Sequence, residues 1–220
     1  MKKITDDKAY SVIPTGDGFV YAYLIERVEN SFKIGYKMLS FETGKLAKVP
    51  KSIYLLSKFG AGYENFTDKI KNYLTCYCAV LEDARTFVVE RDGSALLFSA
   101  EGEVLWEGSF LYQNTPPGGI AVCGNALWVS FPESGVLIRY NLRTLRIELR
   151  IGGEQAPFRG AQGLFASGTK IFIPTGYLIT KLDTITYATE EYFNLDEPIY
   201  DYKFIDKYEI AVLDSGIYLL

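Results

Sequence analysis

The residues of this chain that could do acid–base chemistry are few and lie far apart in the sequence. The chain contains no histidine, which removes the usual general base and any Ser-His-Asp or Cys-His catalytic site. Asp201, in the segment Tyr-Asp-Tyr, is the main carboxylate expected on an inner strand, and Glu82 and Asp83 lie at a strand end. A glycosidase needs two placed carboxylates as acid and base. The alternative for Asp201 is that it bonds the backbone of a neighbouring repeat.

Three cysteines are the other reactive side chains. Cys76 and Cys78 are spaced i, i+2, so in a strand they point to the same side, and we interpret them as small buried residues. A metal pair would need further ligands, and the chain offers only Cys123 and no histidine. The Gly-Gly pairs lack the strand–Gly-x-Gly-x-x-Gly–helix context of a nucleotide site. We therefore expect no metal and no cofactor, and the sequence favours a non-enzymatic role.

The elements that must position these residues recur at a fixed spacing. Phe98, Tyr140 and Leu182 each end an apolar run just before a Ser-, Asn- or Asp-led turn, and they are 42 residues apart. A period of 40–45 residues with four short strands is typical of one blade of a β-propeller. An apolar content of 48%, with 17 Tyr and 14 Phe, suits pleated and half-buried strands.

This period divides the chain into five predicted blades within one domain, residues 1–220. The blades cover approximately residues 6–50, 74–115, 116–156, 157–197 and 198–220. In the fourth blade, residues 160–165 are the predicted first strand. The last blade is one strand short, and residues 1–5 are expected to add there as its outer strand. The sequence thus predicts an all-β fold: a five-bladed β-propeller of four-stranded antiparallel blades, closed by its N-terminal strand.

One interval breaks the period. Phe41 and Phe98 are 57 residues apart, about 15 more than the repeat, and the excess lies in residues 51–73. Insertions in repeat proteins map to loops on one face, often the binding face. This one joins an outer strand to the next inner strand, on the face where ligands usually approach the channel of a propeller. We expect residues 51–73 to mark the binding face, and a packed surface excursion without function is the alternative.

Two segments resemble known propeller repeats. Residues 88–106, which run from Val-Val-Glu-Arg-Asp-Gly to Gly-Glu-Val-Leu-Trp, resemble NHL-type and quinoprotein-like repeats. Residues 117–130, with Gly-Ile-Ala and Leu-Trp-Val, resemble the start of NHL and streptogramin-lyase-like repeats. The likeness covers about residues 86–185 and implies the fold. Streptogramin-lyase-like enzymes are expected to use a histidine and a divalent metal, so the resemblance does not imply their activity for a chain without histidine.

Surface recognition is the function that these observations favour. Tyr, Phe and Arg are the side chains that most often anchor interfaces. We predict a non-enzymatic binding or scaffold propeller that recognises a protein or peptide partner on the face of the insertion. A carbohydrate-binding propeller is the alternative, and a glycosidase-like or lyase-like enzyme is less favoured. The predicted binding residues lie at the channel mouth or in the insertion: Arg27, Lys58, Tyr63, Asn65, Phe66, Arg91, Gln113, Arg159, Gln162, Asp201 and Tyr202.

Charge and hydropathy restrict the remaining partners. A net charge of −4 gives no long-range attraction to nucleic acid or to anionic membranes. No apolar run is long enough to span a membrane, and no apolar stretch follows the N-terminal lysines as it would in a secretory signal. We expect a cytoplasmic monomer without nucleic-acid or membrane partners.

Overall fold

The computed structural model of the protein describes residues 1–15, 18–28, 31–49 and 76–220. It describes the side chains of all of these except Tyr10, Arg27, Val28, 31–34 and Cys76. The described residues form five four-stranded antiparallel sheets arranged as a five-bladed β-propeller, which confirms the predicted fold class. None of these residues belongs to a helix long and apolar enough to cross a membrane.

Within each blade, strands that are consecutive in the chain are separated by short connections. The first, β1 (Lys2–Thr5), belongs to the last blade. Blade 1 contains β2 (Ala9–Thr15), β3 (Gly18–Val28), β4 (Ser31–Ser40) and β5 (Leu46–Lys48). Blade 2 contains β6 (Cys76–Val80), β7 (Thr86–Glu90), β8 (Ser94–Phe98) and β9 (Val104–Ser109). Blade 3 contains β10 (Gly119–Cys123), β11 (Ala126–Phe131), β12 (Val136–Asn141) and β13 (Ile147–Gly152). Blade 4 contains β14 (Phe165–Ser167), β15 (Lys170–Thr175), β16 (Leu178–Asp183) and β17 (Thr189–Asn194). Blade 5 contains β18 (Ile199–Ile205), β19 (Tyr208–Leu213), β20 (Gly216–Leu219) and β1.

The blades belong to two compact units, each with its own apolar core. The first unit holds blades 1 and 5, whose core includes the fully buried Tyr21 and Ile217. The second unit holds blades 2, 3 and 4, with one core cluster around Phe131 and another around Trp128. The second strand of blade 3, β11, is buried on both faces, with Phe131 in one cluster and Trp128 in the other, because successive side chains of a strand point to opposite sides.

Strand β1 completes blade 5 by pairing antiparallel with β20. Lys2 lies opposite Leu219, Lys3 opposite Tyr218 and Thr5 opposite Ile217, with a bulge between Lys3 and Thr5. Ile4, inside the bulge, packs against the core of the first unit. The pairing covers the edge of β20, which would otherwise present a row of unpaired backbone groups.

The first strand of blade 4 differs from the prediction. Residues 160–165 were expected to form it, but β14 begins only at Phe165. Gly160 and Gly163 have φ angles of 78° and 84°, which are left-handed and break the extended conformation. The Gly163 N–H instead donates to the Gly118 carbonyl of blade 3 at 2.7 Å. A Cβ on Gly119 would lie 2.5 Å from Gly163, so these two backbones approach as closely as glycine allows.

We expect a chain that lacks residues 1–5 to unfold at a lower temperature. Three register pairs between β1 and β20 would be lost, at about 1 kcal/mol for each ladder hydrogen bond. Their loss amounts to about 3 kcal/mol and lowers Tm by about 10 °C in a chain of this length. Differential scanning calorimetry measures the change, and Lys2→Ala, at an exposed position, is the control that should leave Tm nearly unchanged. An unchanged melting point in the truncated chain would contradict the role of β1.

We expect Trp128→Phe to cost much less than the burial of Trp128 suggests. The indole is 1% exposed, and its Nε1 atom has no hydrogen-bond partner among the described residues. An unsatisfied buried donor costs about 1–3 kcal/mol, and its removal offsets the cavity that the smaller ring leaves. Urea unfolding should show a loss below about 1 kcal/mol for Trp128→Phe, against about 3–5 kcal/mol for Trp128→Ala. A loss well above about 1 kcal/mol for Trp128→Phe would contradict this expectation.

Candidate functional site

Asp201 lies on β18, the first strand of blade 5, and its carboxylate reaches β2, the first strand of blade 1. The Oδ2 atom accepts hydrogen bonds from the Ser11 hydroxyl at 2.6 Å and from the Val12 backbone N–H at 3.0 Å. The Lys203 ammonium forms an ion pair with the same atom. The other oxygen, Oδ1, accepts from the Tyr202 N–H at 3.0 Å. The alternative interpretation, that Asp201 bonds the backbone of a neighbouring blade, is confirmed by the bond from Val12.

The Lys203 side chain completes this network, which we name the Asp201 brace (Ser11, Val12, Asp201 and Lys203). Besides Asp201, its ammonium donates to the Val12 carbonyl at 2.8 Å and to the Ser11 hydroxyl at 3.2 Å. Both ionised side chains are largely buried, with exposed fractions of 16% for Asp201 and 11% for Lys203. The three N–H groups of the ammonium thus have an acceptor each, as a buried ion pair requires.

The electrostatics of the brace favour an ionised Asp201. Burial opposes ionisation, but the Lys203 ammonium and the bonds from Ser11 and Val12 outweigh it and hold the pKa of Asp201 below its usual range. A general acid in glycoside hydrolysis needs a raised pKa. The Ser11 hydroxyl donates a hydrogen bond to the Asp201 carboxylate, and Lys203 is ion-paired, so this Ser–Lys contact lacks the free base that activates a serine. The brace is suited to holding two strands together.

Among the predicted binding residues that the structure describes, the chain neighbours Asp201 and Tyr202 lie together on β18. The Tyr202 ring is 2% exposed, and its hydroxyl donates to Glu209 at 2.8 Å. Arg27 lies on β3 opposite Phe32, and its side chain is not described. The insertion 51–73, with Lys58, Tyr63, Asn65 and Phe66, lies outside the described residues.

The other four predicted residues lie on exposed connections of the second unit. Arg91 follows β7, with its guanidinium 5.6 Å from the centre of the Tyr77 ring. Gln113 precedes β10, with a left-handed φ of 51°. Arg159 and Gln162 both lie between β13 and β14. Their roles in binding stay predictions. Asp83, the carboxylate proposed beside Glu82, accepts a bond from Arg85 at 2.8 Å in the turn before β7.

An open cleft that the sequence did not reveal lies on blade 1. Strand β4 pairs with β5 only from Lys37 to Leu39, so the earlier part of β4 runs past the end of β5. The resulting space has a volume of about 470 Å³. We name it the blade-1 cleft. Its lining consists of Tyr23, Gly35, Tyr36, Lys37, Leu46, Ala47, Lys48 and Val49.

The floor of the blade-1 cleft is built by close packing. A Cβ on Gly35 would lie 2.6 Å from the Tyr23 ring, so only glycine lets the ring lie across β4 at this point. The Lys37 ammonium is 4.4 Å from the centre of this ring, within range of a cation–π interaction. It also forms an ion pair with Asp7 at 2.6 Å. The position of Lys37 in the cleft is therefore fixed from two sides.

Asp7 is held ionised by this arrangement. Its Oδ2 atom accepts from Lys37, from the Tyr21 hydroxyl at 2.6 Å and from the Thr5 hydroxyl at 2.9 Å. These donors outweigh the effect of burial and keep the pKa of Asp7 below its usual value. Burial, assisted by Asp7, raises the pKa of Tyr21.

The blade-1 cleft offers aromatic and aliphatic surface beside two lysines. Within the described ranges, no group of three or more carboxylate or thiol side chains could hold a metal ion.

Comparison with known proteins gives the fold and no family. No family model matches the sequence, and no curated protein matches it. Virginiamycin B lyase from Staphylococcus aureus is structurally similar, with a TM-score of 0.59 at 9% identity over 99% of this chain and 96% of that chain. A streptogramin B lyase structure gives a TM-score of 0.56 at 12% identity, over 98% of this chain and 95% of that chain.

A third similar structure is hydrazine synthase from Kuenenia stuttgartiensis, with a TM-score of 0.51 at 16% identity. The match covers 64% of this chain and 42% of that chain, so this chain spans less than half the length of that one. At such identities the similarities show the fold alone. The predicted resemblance to streptogramin-lyase-like propellers is confirmed at the level of the fold.

We expect Asp201→Asn to destabilise the protein at neutral pH by about 3 kcal/mol, because it leaves the buried Lys203 ammonium without a counter-ion. The lowered pKa means that the folded protein stabilises the ionised carboxylate. That contribution is present above the unfolded pKa of about 4 and is lost as the pH falls through the folded value. Urea unfolding across this range should therefore show a difference between wild type and variant that shrinks below about pH 4.

The control for this measurement is Asp83→Asn, which alters an exposed carboxylate paired with Arg85 and should change stability little at any pH. A penalty for Asp201→Asn that stays constant through the acidic range would show that the Asp201 charge does not stabilise the fold.

Proposed function

We propose that this chain is a non-enzymatic binding propeller that recognises a protein or peptide partner through blade 1. The observation that carries the proposal is the blade-1 cleft, which ends at Val49, just before the predicted insertion 51–73. The propeller fold supports a binding or scaffold role in general. The cleft and the break in the 42-residue spacing lie in adjoining parts of the chain.

The chemistry of the cleft suits a peptide. A volume of about 470 Å³ lies within the range of about 300–1,000 Å³ that is usual for ligand sites. Tyr23, Leu46 and Val49 offer apolar surface, while Lys37 and Lys48 offer donors. Apolar centres with a few placed polar groups are the usual composition of recognition sites.

An enzymatic role has less support. Asp201, the main candidate carboxylate in the sequence, is already bonded to Ser11, Val12 and Lys203. Its pKa is lowered, whereas the general acid of a glycosidase needs a raised pKa. The chain has no histidine for the chemistry that a resemblance to streptogramin-lyase-like propellers would imply. A carbohydrate ligand remains the second candidate, because Tyr23 and Tyr36 line the cleft and tyrosine rings stack on sugars.

Selection from a displayed library of random peptides tests the proposal. We expect enriched peptides whose affinity, measured by fluorescence anisotropy, falls at least about tenfold in Leu46→Asp. The matched control is Ile147→Asp, since Leu46 and Ile147 each begin the fourth strand of their blade and are 37% and 45% exposed. This control should bind as the wild type does. Deletion of residues 54–70 should also weaken binding, because it removes most of the insertion.

Two outcomes would contradict the proposal. One is a selection that enriches no peptide, together with specific signals on a glycan array, which would favour the carbohydrate candidate. The other is equal loss of binding in Leu46→Asp and Ile147→Asp, which would show that the peptides do not bind in the blade-1 cleft. Circular dichroism of each variant confirms that it is folded before binding is compared.

A further inference from the structure

The third and fourth strands carry a recurring charge pair in blades 3 and 4. In blade 4, Lys181 on β16 lies opposite Glu190 on β17, and the two form an ion pair. In blade 3, Arg139 on β12 pairs with Glu148 on β13, with Nε and Oε2 3.3 Å apart. In both blades a cation on the third strand meets a glutamate of the outer strand, and in blade 4 the two lie directly opposite each other, where opposite charges stabilise a sheet.

Blade 1 instead places two lysines opposite each other on its third and fourth strands. Lys37 on β4 lies directly opposite Lys48 on β5. Residues opposite each other project from the same face with Cβ atoms about 4.5–5.5 Å apart, and like charges there are destabilising. Asp7 neutralises Lys37, but no described residue forms an ion pair or hydrogen bond with the exposed Lys48 ammonium. This like-charged pair borders the blade-1 cleft.

The cleft is a local cationic site on an acidic protein. The described residues of its lining include two lysines and no carboxylate, although the whole chain has a net charge of −4. An ammonium has three N–H donors, and Lys37 directs one to Asp7 and faces the Tyr23 ring, which leaves capacity for another acceptor. Its side chain is 32% exposed, so a ligand can reach it.

We infer that the blade-1 cleft binds an acidic peptide segment in extended conformation. A carboxylate of the partner lies between Lys37 and Lys48, where it separates the two like charges. Leu46 and Lys48 are two residues apart on β5 and so point to the same side. The segment therefore presents an apolar side chain to Leu46 and a carboxylate to Lys48, an alternation that an extended chain provides. This inference rests on the proposed function and specifies the chemistry of the partner.

Fluorescence anisotropy with a labelled peptide of alternating glutamate and leucine tests the inference. The glutamine–leucine and lysine–leucine counterparts serve as comparison probes. We expect the acidic peptide alone to bind the wild-type protein, with an affinity that falls as salt is added. Lys48→Glu should weaken binding at least about tenfold, and Lys48→Gln should weaken it less. Lys2→Glu, at an exposed position outside the cleft with the same change of charge, should bind as the wild type does.

A second readout separates a lost contact from a damaged fold. Lys48→Glu replaces a like-charged cross-strand pair with an opposite-charged one, so its Tm should equal or exceed that of the wild type. Loss of binding with unchanged or raised Tm supports the inference. Equal affinity of the acidic peptide for Lys48→Glu and wild type overturns it, as does equal affinity of the acidic and glutamine peptides.

Two further outcomes would distinguish a failure of this inference from a failure of the proposed function. Library peptides that depend on Leu46 but carry no carboxylate would leave the proposed function intact and overturn the acidic partner. Inorganic phosphate or single-stranded DNA that competes with the peptide and depends equally on Lys48 would identify a general anion site, and would also overturn the inference.

Discussion

The ion pair between Asp201 and Lys203 is the interaction on which the first compact unit depends. It bonds β18 to β2 through both a side chain and the backbone, with Ser11 and Val12 as the partners. A buried carboxylate and a buried ammonium are each costly alone, and they are tolerable here because every donor has an acceptor. The brace therefore gives the two first strands one defined register, since a shift of either strand would break the bonds from Asp201 and Lys203, both on β18, to Ser11 and Val12 on β2.

The second unit joins its first strands by different means. Between blades 3 and 4, Gly118, Gly119 and Gly163 allow direct backbone contact, with a hydrogen bond of 2.7 Å from Gly163 to Gly118. The glycines there exclude any side chain, whereas blades 1 and 5 place a polar network at the corresponding junction. Blade 5 is also the blade that the chain completes with its own first strand, β1. Strong polar contacts and the terminal strand thus stabilise the same unit.

Blade 1 differs from the other blades in features that together form the blade-1 cleft. Its β3–β4 hairpin is long, its β5 has three residues, and the mismatch opens the cleft. Its third and fourth strands place Lys37 opposite Lys48, whereas those of blades 3 and 4 carry ion pairs, so the charge of Lys48 is left for a ligand. The Tyr23 ring packed on Gly35, with Lys37 fixed by Asp7, makes the floor rigid. Preorganised surface of this kind lowers the entropic cost of binding.

Much of the fold could be predicted from the sequence because its signal is local. The turns after Phe98, Tyr140 and Leu182 repeat with the strands that precede them, and this spacing determined the blade count and the need for a strand from residues 1–5. The first strand of blade 4 could not be predicted, because the φ angles of Gly160 and Gly163 depend on close contact with another blade. Asp201 was recognisable as a notable carboxylate, but its partner Ser11 lies 190 residues away and its pKa depends on that contact. The blade-1 cleft and the opposition of Lys37 and Lys48 were likewise decided by tertiary structure alone, because strand register and strand length set them and neither is encoded in the period of the repeat.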